Sequence, residues 1–358
     1  MRVIISAGGT GGHIYPAIAI INKIKEQEPN SEFLYIGTHN RMEKDIIPKL
    51  GIPYKSIEIY GLNKKIFKNF KTLRCLIQAN KKCREMIKEF DPDLVIGVGG
   101  YVTNPVIKQG KKLGYKTVIH EQNSMPGKSN MLLQKYADKI LVSFEESKDS
   151  FNKKKTVFTG NPCSEDSLNI KPASKEEFNL NINKKLVLIV MGSLGSKTMT
   201  KFLVNLIDKM KDKDYEVIFV TGNAYYDEVS KMNIPKNIHI YPYIDNLSRV
   251  MKITDVMVTR AGASTLSEII ALNVPSILVP SPYVANNHQY KNALALKNND
   301  ACILLEEKKL TEDSVINSID KILNDEEYKN NMKKNLEKMS IKNSASKIYE
   351  VIKELVGR

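Results

Sequence analysis

Val3-Ile4-Ile5-Ser6-Ala7-Gly8-Gly9-Thr10-Gly11-Gly12-His13 is the stretch on which the fold turns. A short apolar run, Val3–Ser6, breaks into four glycines within five positions and then into a helical pattern. Strand, glycine turn and helix in that order open a parallel α/β unit. Glycines there let backbone N–H groups approach an anion, and the helix N-terminus adds positive dipole. The spacing is not a dinucleotide fingerprint: from Gly9, G-x-G-x-x-G would need glycine at Ile14. The second strand ends Tyr35-Ile36-Gly37-Thr38, without the acidic residue that holds an adenine-side ribose. The Walker A lysine is also missing. A nicotinamide dehydrogenase is therefore disfavoured, and an anion or sugar site is expected.

Outward from this turn the pattern repeats. Phe33–Ile36, Leu94–Val98, Thr117–His120 and Ile140–Ser143 read as further buried strands of the first half. Leu186–Met191, Val217–Val220, Ile238–Ile240, Val256–Thr259, Ser276–Val279 and Ile303–Leu305 form a second set. Strands alternating with helices at this spacing predict two doubly wound, Rossmann-like α/β domains facing across a cleft. A weak echo supports the duplication: Gly192 and Gly195 follow the first strand of the second set as Gly9 and Gly12 follow Val3–Ser6. The irregular stretch 160–185 marks the boundary. Residues 1–160 make one domain and 161–341 the other, with a helix over 342–358 returning to the first.

The chain has 358 residues, 42% hydrophobic and 26% charged, which is globular rather than disordered. No run approaches the roughly 18–20 apolar residues of a membrane span, and Met1–Gly9 is too short for a signal peptide. Cys75, Cys83, Cys163 and Cys302 contain no C-x-x-C pair, so neither a zinc knuckle nor a redox dithiol is expected. The pattern fits a reducing compartment. Net charge is +14, and its placement is uneven. Residues 1–160 carry 27 basic and 15 acidic side chains; the remainder carries 27 and 25. An anionic partner should meet the first half.

Several loops at strand ends carry chemistry. His13 opens the first helix, where the dipole favours neutral imidazole, a possible proton acceptor. Gly99-Gly100-Tyr101 is a second glycine turn. His120-Glu121-Gln122-Asn123 is a polar quartet suited to a hydroxyl-rich ligand, with Glu121 a second candidate base. In the second half, Arg260 to Glu268 links a strand to a helix through small and hydroxyl residues, which suits a diphosphate. Glu268, one turn inside, could accept both hydroxyls of a ribose. The same sequence would also serve as an ordinary helix cap. Gln289 offers donor and acceptor groups to a sugar.

Residues 61–90 hold nine Lys/Arg and two Glu. Lys64, Lys65, Lys68 and Lys71 surround Ile66, Phe67 and Phe70, which predicts docking on an anionic membrane surface. Leu73 and Ile77 onward are expected to be the core face of a helix. Sparse aromatics and the absence of Trp argue against nucleic acid.

Gly8-Gly9-Thr10-Gly11-Gly12-His13, Gly99-Gly100-Tyr101-Val102, His120-Glu121-Gln122-Asn123, Gly160-Asn161-Pro162, Gly192-Ser193-Leu194-Gly195, Arg260 to Glu268 and His288-Gln289-Tyr290-Lys291-Asn292-Ala293 run in this order along the chain. Together they resemble the MurG-type N-acetylglucosaminyltransferases of bacterial peptidoglycan synthesis. The resemblance implies the GT-B fold and GlcNAc transfer from UDP-GlcNAc to the C4 hydroxyl of undecaprenyl-diphosphate-MurNAc-pentapeptide, with inversion. It implies no tightly bound cofactor and leaves any divalent cation requirement open. It also implies a peripheral position on the cytoplasmic face of the cell membrane. Carried over, Thr10, Gly11 and Gly12 approach a diphosphate of donor or acceptor. Asn123 and Ser193 contact the GlcNAc-diphosphate region, and Ile244 packs at the uracil. Ala263, Ser264, Thr265, Leu266, Ser267 and Glu268 cradle diphosphate and ribose, and Gln289 reads the sugar. Ser164 stands where the family carries a phosphate-neutralising arginine, with Lys197 a possible substitute, and Leu194 replaces a common glutamine. A related glycolipid glycosyltransferase, a UDP-sugar epimerase and a non-enzymatic membrane adaptor are the rivals.

Overall fold

A computed structural model of the chain describes residues 1–60, 69–191 and 197–357, with backbone alone at 69–71, 197, 198, 200, 201, 203 and 285. The chain forms two compact units, Met1–Glu165 with Asn343–Arg358, and Asp166–Lys342. The first division therefore falls five residues later than the glycine that suggested it.

The first unit contains β1 (Arg2–Ala7), α1 (Gly11–Gln27), β2 (Glu32–Thr38), α2 (Glu43–Lys49), β3 (Tyr54–Ile57), α3 (Asn69–Phe90) and β4 (Leu94–Gly99). It continues with α4 (Thr103–Lys112), β5 (Lys116–Glu121), α5 (Lys128–Leu133), β6 (Lys139–Val142), β7 (Thr156–Phe158) and the start of α6 (Cys163–Asn169). All seven strands pair in parallel, in the order β3-β2-β1-β4-β5-β6-β7. The order reverses between β1 and β4, so the loops after those strands flank the crevice where α/β sheets bind ligands.

The second unit contains β8 (Lys185–Val190), α7 (Lys197–Met210), β9 (Tyr215–Val220), α8 (Asn223–Val229), β10 (Ile238–Tyr241), α9 (Leu247–Met251) and β11 (Val256–Thr259). After these come α10 (Ala263–Leu272), β12 (Ser276–Leu278), α11 (His288–Lys297), β13 (Ile303–Leu304), α12 (Glu312–Asn324) and α13 (Glu326–Met339). Its parallel sheet runs β10-β9-β8-β11-β12-β13 and reverses between β8 and β11. Each unit is thus doubly wound around its own reversal.

The final helix, α14 (Ser344–Val356), belongs to the first unit. Ile348 and Ile352 enter the core beside Ile14, Ala17 and Ile21 of α1. Fully burying such a side chain is worth ~2 kcal/mol, which favours the return. Polar contacts fix its register: Ser346 N–H and Oγ donate to Glu165 at 2.9 and 2.7 Å, and Lys23 of α1 pairs with Glu165 at 2.8 Å.

Two expectations about α3 meet the structure differently. Ile66, Phe67, Lys64, Lys65 and Lys68 lie outside the described residues, as do the side chains of Phe70 and Lys71. Leu73 and Ile77 are not core: they are 56% and 64% exposed. The buried face instead runs Thr72, Cys75, Ala79, Cys83 and Ile87, one position round the helix. Small residues there allow close packing on the sheet, which leaves the larger aliphatics outside.

Candidate active site

The two glycine turns of the first unit interlock at the β1/β4 crevice. Gly8 N–H donates to Gly99 O at 3.2 Å. Gly99 and Gly100 have φ of +124° and +89°, and a Cβ on Gly99 would lie 2.5 Å from His13 Cδ2. Glycine is required there because the His13 ring and the Gly8 backbone occupy the space. His13 Nδ1 lies 2.9 Å from Gly8 O. A carbonyl can only accept, so the Nδ1 proton points at it and the neutral ring keeps its lone pair on Nε2. Thr10 is the exposed N-cap residue of α1, and its side chain makes no capping bond. The helix ladder begins when His13 and Ile14 N–H donate to Thr10 O, so Gly11 and Gly12 N–H have no acceptor within the helix.

The polar quartet at the end of β5, His120 to Asn123, behaves differently from expectation. His120, Glu121 and Gln122 are buried, not presented to a ligand. Glu121 Oε1 accepts from Asn123 N–H and Nδ2 at 3.0 and 3.1 Å. Its Oε2 accepts from Gly127 N–H and Asn130 Nδ2, both at 2.9 Å. Four donors saturate the group, so Glu121 orders the 121–130 loop and is corrected here as a base candidate. His120 is pushed down to about 4, by burial first and also by neighbouring His13, and stays neutral. Asn123 is half-buried at the loop's start.

Ser164 is a second correction. It is 5% exposed, donates to Asn161 O at 2.7 Å and lies 2.8 Å from Ser344 Oγ, which itself reaches Asn161 O at 2.7 Å. This hydroxyl cluster ties the head of α14 to the Gly160-Asn161-Pro162 turn and is not available to a phosphate. The alternative cation, Lys197, has no described side chain, and Ser193 and Leu194 lie outside the described residues.

In the second unit, the loop after β11 leads into α10 with Gly262 as N-cap. Leu266 N–H makes the first ladder bond, to Gly262 O at 2.9 Å. The N–H groups of Ala263, Ser264 and Thr265 therefore have no acceptor within the helix, and Ser264 Oγ is buried without a partner among the described residues. Leu266 and Ser267 do not fit the cradle. Leu266 is a core side chain, and Ser267 Oγ is spent on Ala263 O at 2.8 Å.

Glu268 is partly buried, with Ser248 Oγ of α9 donating at 3.1 Å and Ser167 of α6 also bonded to it. Burial pushes its carboxyl up to about 7, against the pull of both serines. Gln289 of α11 accepts Ser281 N–H on Oε1 at 2.9 Å, which leaves its Nε2 donors for a ligand. Ile244 is half-buried in the loop after β10.

Sequence reasoning passed over the braces behind these loops. Arg260 points inward, donating to Val279 O at 2.9 Å and pairing with Glu307 at 2.6 Å. Asn292 Nδ2 reaches Ala261 O at 3.3 Å. In the first unit Glu43 touches Gly9 and Thr38. No sequence pattern marks them, because Arg260 lies in a loop and Asn292 and Glu43 are single polar residues of helices whose partner loops lie elsewhere in the chain. Among the described residues, no three His, Cys, Asp or Glu are grouped to hold a metal ion, and no helix is long and apolar enough to cross a membrane.

Comparison with known proteins agrees with this arrangement. The model of the glycosyltransferase family 28 N-terminal domain matches residues 3–142, and that of the family 28 C-terminal domain matches residues 186–351. A Bacillus cytotoxicus protein named UDP-N-acetylglucosamine--N-acetylmuramyl-(pentapeptide) pyrophosphoryl-undecaprenol N-acetylglucosamine transferase is 43% identical, covering 100% of both chains. The Bacillus subtilis protein of the same name is 42% identical over 99% of each. The crystal structure of Acinetobacter baumannii MurG superposes with a TM-score of 0.80 at 24% identity, covering 99% of each chain. A putative UDP-N-acetylglucosamine 2-epimerase from Listeria monocytogenes shares the fold at a TM-score of 0.72 and 14% identity, over 99% of this chain and 96% of its own.

Two doubly wound parallel sheets, each opening a donor-rich helix start at or beside its reversal, define a glycosyltransferase of the GT-B architecture. The chain belongs to glycosyltransferase family 28, with the MurG-type enzymes among its relatives.

Proposed function

We propose that the chain moves GlcNAc from UDP-GlcNAc to the MurNAc C4 hydroxyl of undecaprenyl-diphosphate-MurNAc-pentapeptide, completing the lipid-linked disaccharide of peptidoglycan. The observation that carries this is 43% identity over the full length of enzymes named for that transfer. The acceptor oxygen attacks C1 of GlcNAc while the bond from C1 to the UDP oxygen breaks with its electron pair, inverting the centre. No covalent enzyme intermediate is needed. His13 Nε2 takes the hydroxyl proton, a role supported by the fixed tautomer.

The second unit holds the donor. The N–H groups of Ala263, Ser264 and Thr265 and the unpartnered Ser264 hydroxyl receive the diphosphate, where the helix dipole also stabilises departing UDP. Glu268 accepts the ribose hydroxyls, Ile244 packs at the uracil and Gln289 Nε2 reads the sugar. The first unit holds the acceptor, with its diphosphate on Gly11 and Gly12. The protein sits peripherally on the cytoplasmic side, on anionic lipid, a reading supported by the exposed Leu73 and Ile77 beside Arg74, Lys81 and Lys82. No tightly held metal takes part, and nucleic acid is not a partner; metal analysis of the purified protein, with less than one equivalent of any divalent cation bound, checks the first point.

Incubation with labelled UDP-GlcNAc and lipid-linked MurNAc-pentapeptide tests the reading. Label must appear on the lipid. Turnover without lipid labelling overturns it, and release of free sugar would mark the epimerase class instead.

A further inference from the structure

The first glycine loop has little of its own to hold its shape. Four of its five residues from Gly8 to Gly12 lack side chains, and Thr10 makes no side-chain cap. Its brace comes from α2. Glu43 is fully buried at the head of that helix. Its Oε2 accepts Gly9 N–H at 3.2 Å, and its Oε1 accepts Thr38 N–H at 3.0 Å and Thr38 Oγ1 at 2.7 Å. The fit leaves no slack, since a Cβ on Gly8 would lie 2.6 Å from Oε1. Tyr54 closes the far side by donating to Thr38 O at 2.5 Å, and Tyr35 donates to Ala7 O at 3.0 Å at the loop's entry.

A carboxyl group at the end of a parallel sheet is an expensive way to fill space, because burying it costs far more than burying an aliphatic side chain. What it achieves that an aliphatic cannot is to bond one chosen N–H of a loop that has no side chains. Tying Gly9 N–H to Glu43 limits the peptide planes that follow, among them those of Gly11 and Gly12, whose N–H groups no helix carbonyl takes, while His13 stays on Gly8 O. We infer that Glu43 is a positioning residue for the transfer reaction: by clamping Gly9 to Thr38 it holds the Gly11 and Gly12 amides in register with the acceptor diphosphate. The inference rests on the proposed reading of this loop as the acceptor site.

Glu43→Gln is the test, because it keeps size while removing one acceptor oxygen. If the amide oxygen stays on the two Thr38 donors, its NH2 opposes Gly9 N–H, donor against donor. The expected result is an acceptor KM raised about tenfold or more, with donor KM unchanged and faster hydrogen exchange over residues 8–12. Thr38→Val removes only one bond to Glu43 and should shift acceptor KM the same way by a few fold; it carries the test if Glu43→Gln does not fold. Gly12→Ala is the control for the loop, since its Cβ meets nothing closer than Thr10 Oγ1 at 3.8 Å. A raised acceptor KM in Gly12→Ala with none in Glu43→Gln or Thr38→Val overturns the clamp and leaves the loop reading standing. No effect in Gly12→Ala overturns the loop reading itself. Equal losses on both substrates, tracking a lowered melting temperature, would show that Glu43 is structural only.

Discussion

The Glu268 carboxyl, pushed up to about 7 by burial against two serine donors, answers to two demands. A ribose diol needs an acceptor, so the ionised form is the one that binds. Donor KM should rise as pH falls below about 7, approaching tenfold per unit, and Glu268→Gln should abolish that slope. Stability runs the other way. The folded protein binds this proton more tightly than the unfolded chain, whose glutamate titrates near 4.5, so folding weakens as pH rises from there to about 7. Glu268→Gln should therefore raise the melting temperature at pH 8 and leave it unchanged at pH 4; a lower value at pH 8 would contradict the desolvation account. Ser164 makes the opposite case. Ser164→Ala should cost about 1–2 kcal/mol of stability through the Asn161–Ser344 cluster and leave donor KM unaltered in steady-state assays.

Among the elements, the head of α14 is held in part by the Glu165 carboxyl. Burial alone would raise Glu165, but Lys23 and Ser346 outweigh it and hold the group below its ordinary 4.5. A lowered value means stability is present above 4.5 and lost as pH falls through the folded value. The Ser344–Val356 segment should gain hydrogen exchange first in that acid window, and Glu165→Gln should show the same gain at neutral pH. The strands show what a sequence can disclose. Among the described residues, eleven of the thirteen strands declare themselves by apolar runs, whereas β3 and β7 do not. Tyr54-Lys55-Ser56-Ile57 and Thr156-Val157-Phe158 are edges, partly exposed, with only one paired neighbour each. Glycine turns and helix starts were legible for a similar reason, since they answer to local backbone geometry. The role of Glu121 is not legible in this way, because acceptance from four loop donors depends on residues up to nine positions away. The error over Leu73 and Ile77 came from two apolar stripes one residue apart, between which only packing decides.

At the scale of the molecule, charge and exposure meet on α3. Leu73 and Ile77 stand in water beside basic side chains, an arrangement that invites anionic lipid. Leu73→Glu with Ile77→Glu should leave the melting temperature intact, because neither residue is core, while vesicle flotation on anionic phospholipid falls several-fold and more steeply in salt. Unchanged flotation would move the docking face elsewhere.

The return of α14 also fixes an order of events. Everything from Asp166 to Lys342 is made before that helix exists, so the first unit, though it begins the chain, is the last to have all its parts. Its core over Ile14, Ala17 and Ile21 stays uncovered until Ile348 and Ile352 have been made.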